Sequence, residues 1–212
     1  VENVPGIKIF MGSSTGDLLV SDTRDLENIF GNGSRLIAVH AEDDDIINAA
    51  KEIYKNSTDF NHHQFVRPAD AALKATTLAV ELSIKYQRRL HILHMTTLDE
   101  VRYLEIQKSK APISAEVCPQ HFLLSAPQVY QKLGAYAQMN PPIRDLQHSE
   151  ALWNGLVNGV IDCIATDHAP HTHEEKSKPF GQAPSGMPGV ETSLPVLLDR
   201  ANRGLCKIED VV

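Results

Sequence analysis

Four polar side chains interrupt or close otherwise apolar runs in this chain, and together their types suit a divalent cation. Lys8 stands inside Gly6-Ile7-Lys8-Ile9-Phe10-Met11, His40 closes the run from Leu36, His94 closes the run from Leu90, and Asp167 follows Ile161 to Thr166. Imidazole nitrogens and carboxylates are ordinary zinc ligands. A cation so held brings the pKa of water toward neutrality, where a neighbouring carboxylate can accept the proton. Taken singly, each residue has a plainer role: a strand-end histidine is commonly a hydrogen-bonded core or rim residue, and an aspartate after a strand commonly caps the next helix. Their recurrence at equivalent points of separate apolar runs is what joins them. Lys8 is the sharpest case, because an unpaired ammonium in mid-strand is costly to bury. Either a salt bridge or a snorkelling stem relieves it, or carbon dioxide converts the amine to an anionic carbamate whose two oxygens bridge two metal ions. His168 and His171 share the loop of Asp167, and at most one of them is expected to act.

The elements that must position these residues follow a βα rhythm of short apolar run, polar turn and longer helical stretch. Strands are expected at Ile7 to Met11, Leu36 to His40, Leu90 to His94, Ile113 to Cys118 and Ile161 to Thr166. A loop over Gly12 to Gly16 follows the first strand. Helices are expected from Asp22 to the Gly31-Asn32-Gly33 turn, over Asp44 to Asn56, Ala69 to Tyr86, Leu98 to Lys108, and Leu194 to Arg203. Between the last two strands the segment holding Met139-Asn140-Pro141-Pro142 is expected to be irregular and rigid, and Thr172 to Gly189, dense in Pro, Gly and charge, to be an exposed loop free to move. This pattern predicts an α/β fold with a parallel sheet, either doubly wound or part of a (β/α)₈ barrel, which takes ~250 residues when complete. No glycine-rich phosphate fingerprint follows any strand, which removes the usual nucleotide-binding reading.

Composition narrows the function classes. A net charge of -7 without a Lys/Arg run gives no footprint for nucleic acid or an anionic membrane, so a small-molecule substrate is expected. Cys118, Cys163 and Cys206 lack CxxC spacing and are expected to be buried, reduced thiols in a cytoplasmic protein. No apolar segment is long enough to span a bilayer. The chain enters a strand almost at once after Val1 and ends on Ile208 to Val212 without an obvious stop, so it is expected to be a piece of a longer protein.

The residues now carry a resemblance. Ala165-Thr166-Asp167-His168-Ala169-Pro170-His171, with Met139-Asn140-Pro141-Pro142-Ile143-Arg144 upstream, resembles the signature pair of dihydroorotases in the amidohydrolase superfamily. Val39-His40-Ala41-Glu42 and His91-Ile92-Leu93-His94 are similar to that superfamily's strand-end histidines, and Ile7 to Met11 to the strand bearing a carboxylated lysine. The resemblance implies a partial (β/α)₈ barrel of about five βα units, with residues 1–212 forming the central and C-terminal part of one domain cut at both ends. It implies two zinc ions bridged by carboxylated Lys8, with His40 and His94 on one ion and Asp167 on the other as proton shuttle. Asn140 and His171 would hold the substrate, and backbone near Pro188 and Gly189 would contact its ring. The implied reaction is reversible hydrolysis of dihydroorotate to N-carbamoyl-aspartate, in pyrimidine biosynthesis, by a metal-bound hydroxide. Association into a homo-oligomer is expected, with no nucleic-acid or membrane partner.

The chain departs from the family in lacking a His-x-His pair at a strand end; His171-Thr172-His173 has the spacing but lies in the loop after the strand that carries Asp167. Counting back from Asp167 on the last strand of an eight-stranded barrel, Lys8 falls on the fourth, so the expected chain by itself is inactive, poorly stable or associated. Hydantoinase, dihydropyrimidinase and allantoinase activities remain alternatives, as does a catalytically dead scaffold. Glu116 and the Cys118-Pro119-Gln120-His121 turn have weaker claims to a role, and His62, His63, His148 and His173 are expected at the polar surface.

Overall fold

The computed structural model describes residues 4–12 and 18–211, so the loop expected over Gly12 to Gly16 falls, past Gly12, outside the described residues. Five strands, β1 (Gly6–Phe10), β2 (Leu36–His40), β3 (Leu90–Ile92), β4 (Ile113–Val117) and β5 (Cys163–Ile164), form one parallel sheet in the order β1-β2-β3-β4-β5. An order that runs one way without reversal distinguishes an arc of a barrel from a doubly wound sheet, which needs a switch point.

Alternation along the strands sorts their side chains. Ile9, Ile37, Val39, Leu90, Ile92, Ala115 and Val117 face a single apolar core. Helices α1 (Thr23–Gly31), α4 (Ala69–Tyr86) and α5 (Leu98–Gln107) close that core with Leu26 and Phe30, Ala75 and Ala79, and Leu104 respectively. Register places the intervening residues on the opposite face: Lys8 pairs with Ala38, Ala38 with His91, His91 with Ser114, and Glu116 with Cys163. These residues are exposed or half-buried and line an open trough.

Local chemistry sets the helix starts. Asp22 accepts from Arg24 N at 2.7 Å ahead of α1, Asp43 caps α2 (Asp44–Tyr54), and Thr97 with Glu100 forms a reciprocal capping box on α5. A short helix α3 (His63–Val66) precedes α4, inside what the sequence suggests is a polar loop. The stretch from Gln138 to Asp145, with its two prolines, is free of helix as expected, but the rest of the segment between β4 and β5 is not irregular: it holds α6 (Pro119–Leu123), α7 (Gln128–Leu133) and α8 (Leu146–Val157). The buried stripe of α8 is His148, Ala151, Leu152 and Gly155, at helical spacing but mostly of polar or small residues, so its period is faint in the sequence. Cys118-Pro119 opens α6, with proline at its first position, where the missing N–H costs nothing.

The stretch from Thr172 to Gly189 is anchored, not a free exposed loop. It contains α9 (His173–Lys176), whose Lys176 is buried and donates to the carbonyls of Ala135 (3.1 Å), Gln138 (3.1 Å) and Pro184 (2.8 Å). Gly186 N donates to Gln138 O at 2.8 Å, and Gln138 Nε2 to Ala183 O at 2.8 Å. A charge that reads as surface is used internally. The last long helix, α10 (Val190–Asn202), starts earlier than expected, on the Gly189 carbonyl that Ser193 N meets at 3.0 Å. Of the three thiols only Cys118 is buried; Cys163 is exposed and Cys206 partly so, and all are free. Among the described residues no helix is long and apolar enough to cross a membrane.

Candidate metal centre

The hydrogen-bonded strands β3 and β5 stop short of His94 and Asp167, which lie just beyond them. Both have left-handed backbone, φ 35° at His94 and φ 42° at Asp167, an uncommon state for residues with a Cβ that clusters at functional sites. At His94 the surrounding chain enforces it: Leu93 N donates to Val39 O at 3.1 Å and Met95 N to Glu116 O at 2.9 Å, so the backbone is gripped on both sides.

His40 and His94 meet. His40 Nδ1 lies 3.0 Å from His94 Nε2, with both rings almost wholly buried. On its other side His40 Nε2 is 2.8 Å from Glu42 Oε2, and Glu42 is held by Arg67, whose Nε reaches both carboxylate oxygens at 3.1 Å and whose Nη2 also binds Oε2. Burial alone would push the Glu42 carboxyl up, but the Arg67 guanidinium and the His40 bond hold it well below the usual carboxylate range. An ionised Glu42 accepts the His40 Nε2–H and leaves Nδ1 as a lone pair facing His94. Burial, with His40, His121 and Lys8 nearby, drives the His94 pKa far down, so that ring is neutral, and its Nδ1 is buried without a partner. If the His94 proton sits on Nδ1, two lone pairs face each other, an arrangement that a shared cation relieves. Two nitrogens on one tetrahedral zinc would stand about 3.3 Å apart.

Lys8 and Asp167 face the trough. The Lys8 ammonium lies 4.6 Å from the Phe10 ring centroid and makes no hydrogen bond or salt bridge among the described residues. Desolvation lowers its pKa, while Asp167 and Glu116 pull it up. Desolvation raises the Asp167 carboxyl, and Lys8 and then His40 lower it. Lys8 acts electrostatically on His94 and Asp167, and His40 on the same two, while among the described residues the one hydrogen-bonded contact within the set is that of His40 with His94.

The remaining expected residues divide. Asn140 Oδ1 accepts from His63 Nε2 at 3.1 Å, a ring nitrogen that also reaches Met139 O at 2.9 Å. His63 is buried, not on the surface, and burial followed by Arg67 lowers it to about 4. Asn140, His63, Arg67, Gln138, Phe180 and Ser185 line a cavity of about 380 Å³. His171 is turned to the loop, with Nε2 3.3 Å from Ser185 O and Nδ1 3.6 Å from Glu175, and does not line that cavity. His168 Nδ1 accepts from Gly189 N (3.1 Å) and Val190 N (3.3 Å), so it caps α10. Pro188 O accepts from Gln120 Nε2 at 3.3 Å, and a Cβ at Gly189 would press on Gln120 and the Thr166 carbonyl, which brings this backbone beside the Asp167 segment.

Sequence reasoning missed Arg67, His63 and the structural part of Glu42. His148, expected at the surface, is buried and accepts from Leu98 N at 2.9 Å. His121, expected in a mere turn, is buried with Nε2 3.0 Å from Pro141 O. The one available signal was the two-residue spacing of His40 and Glu42, which puts both at the same strand end.

No family model matches the chain. The dihydroorotase of Methanosarcina acetivorans is 35% identical over 97% of this chain and 46% of its own length, and that of Halobacterium salinarum 36% identical over 96% and 47%. The solved L-hydantoinase (dihydropyrimidinase) of Arthrobacter aurescens superposes with a TM-score of 0.89 at 28% identity, covering 96% of this chain and 48% of that one. The chain thus spans about half the length of the curated relatives it matches. Its five parallel strands correspond to an arc of the barrel in such hydrolases, and by sequence and fold together the chain belongs to the dihydroorotase-like cyclic amidohydrolases.

Proposed function

We propose that residues 1–212 are the central and C-terminal part of a single barrel whose complete protein, cytoplasmic and homo-oligomeric, interconverts dihydroorotate and N-carbamoyl-aspartate in pyrimidine biosynthesis. The observation that carries this is the 3.0 Å approach of His40 Nδ1 to His94 Nε2, with the Glu42–Arg67 pair fixing the tautomer from behind. That donor set fits zinc: His40 and His94 would hold one ion, Asp167 another, and Lys8 as its carbamate would bridge them. When bound, the metal pair polarises the ring amide carbonyl and makes water acidic enough to be a nucleophile at neutral pH.

The chain's own groups do the rest. Asp167, its carboxyl raised by desolvation, takes the water proton and delivers it to the departing ring nitrogen. Asn140 and, once it turns from its Ser185 and Glu175 contacts, His171 would hold the substrate, with backbone at Pro188 and Gly189 against its ring. Glu42 is a positioning residue for His40. No His-x-His pair closes a strand in this sequence, so the 212-residue chain alone turns over no dihydroorotate.

The likeness to an L-hydantoinase keeps a second reading, hydrolysis of hydantoin-type rings, in view. Retention of Lys8, His40, His94 and Asp167 disfavours a dead scaffold, because such a scaffold needs none of them. The deciding experiment offers the full-length protein dihydroorotate, hydantoin, dihydrouracil and allantoin in turn, with metal analysis. Turnover of dihydroorotate by a zinc-loaded protein is expected. Preference for another ring, or a protein that binds no metal, would overturn the assignment.

A further inference from the structure

A second group of donors lies on the trough face, one strand over. His91 on β3, Glu116 on β4 and Cys163 on β5 each offer a ligand atom, and these atoms all lie within 4.8 Å of one another. Register explains the grouping: Glu116 is the direct parallel partner of Cys163, and His91 stands beside Ser114, two residues before Glu116 on the same side of β4. In this chain His91 and Glu116 are half-buried and Cys163 is exposed.

The hydrogen bonds set the ring for ligation. His91 Nδ1 is 2.8 Å from Ser114 Oγ, and that hydroxyl directs its own hydrogen to Leu90 O over a long 3.4 Å contact. Ser114 Oγ therefore accepts, Nδ1 carries the proton, and the Nε2 lone pair points at Glu116 Oε2, 2.9 Å away. That 2.9 Å approach puts a ring nitrogen and a carboxylate oxygen where one cation could meet both. The other carboxylate oxygen, Oε1, accepts from His94 N at 3.3 Å, which ties Glu116 in place. The thiol supplies the third donor. Burial, then Glu116 and Asp162, raise the Cys163 thiol, so it stays protonated until a cation arrives.

The geometry points to a further cation site, formed by His91 Nε2, Glu116 and Cys163 Sγ, that takes a thiophilic divalent ion of the zinc type. A tetrahedral ion with bonds of about 2.0 to 2.3 Å needs its nitrogen, oxygen and sulfur ligands about 3.3 to 3.7 Å apart. The observed spacings reach this by a slight opening of the His91–Glu116 pair and an inward turn of the exposed Cys163 side chain. On binding, the Cys163 thiol gives its proton to solvent and ligates as the thiolate. Soft sulfur distinguishes this site from the Lys8, His40, His94 and Asp167 group, which has only nitrogen and oxygen donors.

Cobalt(II) is the probe, because thiolate ligation gives a near-ultraviolet sulfur-to-metal charge-transfer band that nitrogen and oxygen ligands do not. Titration of the reduced, metal-free full-length protein with cobalt(II) should raise this band with an endpoint of one thiolate-bound ion per protomer. Cys163→Ser should abolish it, and His91→Gln should weaken cobalt binding at this site at least tenfold. Absence of the band in the parent chain, or its survival in Cys163→Ser, overturns the proposal. His40→Ala, which strikes the other group, should leave the band intact, so failure of the dihydroorotase reading and failure of this site are separable; loss of the band in His40→Ala also overturns it. Matching circular dichroism spectra among the variants show that the comparison is between folded proteins.

Discussion

His40 and His94 are 2% and 3% exposed and sit against a buried Glu42–Arg67 pair, whereas Lys8 and Asp167 face the trough, with the Lys8 ammonium over the Phe10 ring. Within this chain, which spans about half the length of its relatives, the candidate centre is thus packed on one side and uncovered on the other. On the closed side this chain alone fixes ring orientation, tautomer and charge. On the open side the positions are set by β1 and by the turn after β5, and among the described residues Lys8 and Asp167 have no hydrogen-bonded ion-pair partner. Preorganisation of one ligand pair and availability of the other is what a site needs if its cargo is to complete it.

The strongest way to break this contrast is at Glu42. Replacing Glu42→Gln leaves the Arg67 charge buried opposite a neutral amide, and half of a broken buried pair typically costs about 3 to 5 kcal/mol. Urea denaturation should show a loss of that order, and zinc affinity measured by competition with a chelator should fall about 10- to 100-fold because His40 is no longer oriented. A loss below about 1 kcal/mol would mean that the closed side is not held by this pair.

Acid probes the same side. The folded pKa of His63 is depressed to about 4 from 6.5, so between those values the unfolded chain binds more protons and stability falls as pH drops. The group's contribution is complete above about pH 6.5 and exhausted near pH 4, up to about 3 kcal/mol. Chemical denaturation across that window should show the decline, and His63→Gln should flatten it. An unchanged slope in the variant would assign the acid sensitivity elsewhere.

The Lys176 cage is a smaller test, of the segment that closes over the rim. Lys176→Met removes the donor to three carbonyls, at a cost of about 2 kcal/mol. The Gly186 amide, bonded to Gln138 O, should exchange faster with solvent as the segment loosens. Unchanged exchange would show that the remaining contacts suffice.

How far the sequence foretold this follows from which forces were local. Strand positions and the helices over Ala69 to Tyr86 and Leu98 to Gln107 were legible because apolar period and capping residues act within a few residues of one another. The approach of His40 to His94 was legible only through recurrence at strand ends, since the pair is separated by 54 positions. Arg67 was not legible at all: it reaches Glu42 across 25 positions from the end of a one-turn helix that no periodicity announces. Lys176 misled for the opposite reason, because charge beside Pro and Gly suggests solvent, and only the fold supplies three carbonyls for it.

The smallest expected effect is on the open side and sharpens the comparison most. Asp167→Asn keeps a side chain that tolerates the left-handed backbone observed at φ 42°, and removes only the charge. Because Asp167 is exposed and has no hydrogen-bonded partner among the described residues, stability should change by no more than about 0.5 kcal/mol, against the several expected at Glu42. Asp167→Ala, which must enter the same backbone region without a polar side chain, should cost about 1 kcal/mol from conformation alone. The charge should register elsewhere: Asp167 raises the pKa of Lys8, so in Asp167→Asn the Lys8 amine should titrate lower than in the parent, as followed by NMR of the lysine side chain. A large stability loss in Asp167→Asn, or an unmoved Lys8, would show that this side is also tied by the chain itself, and the two halves would no longer differ in kind.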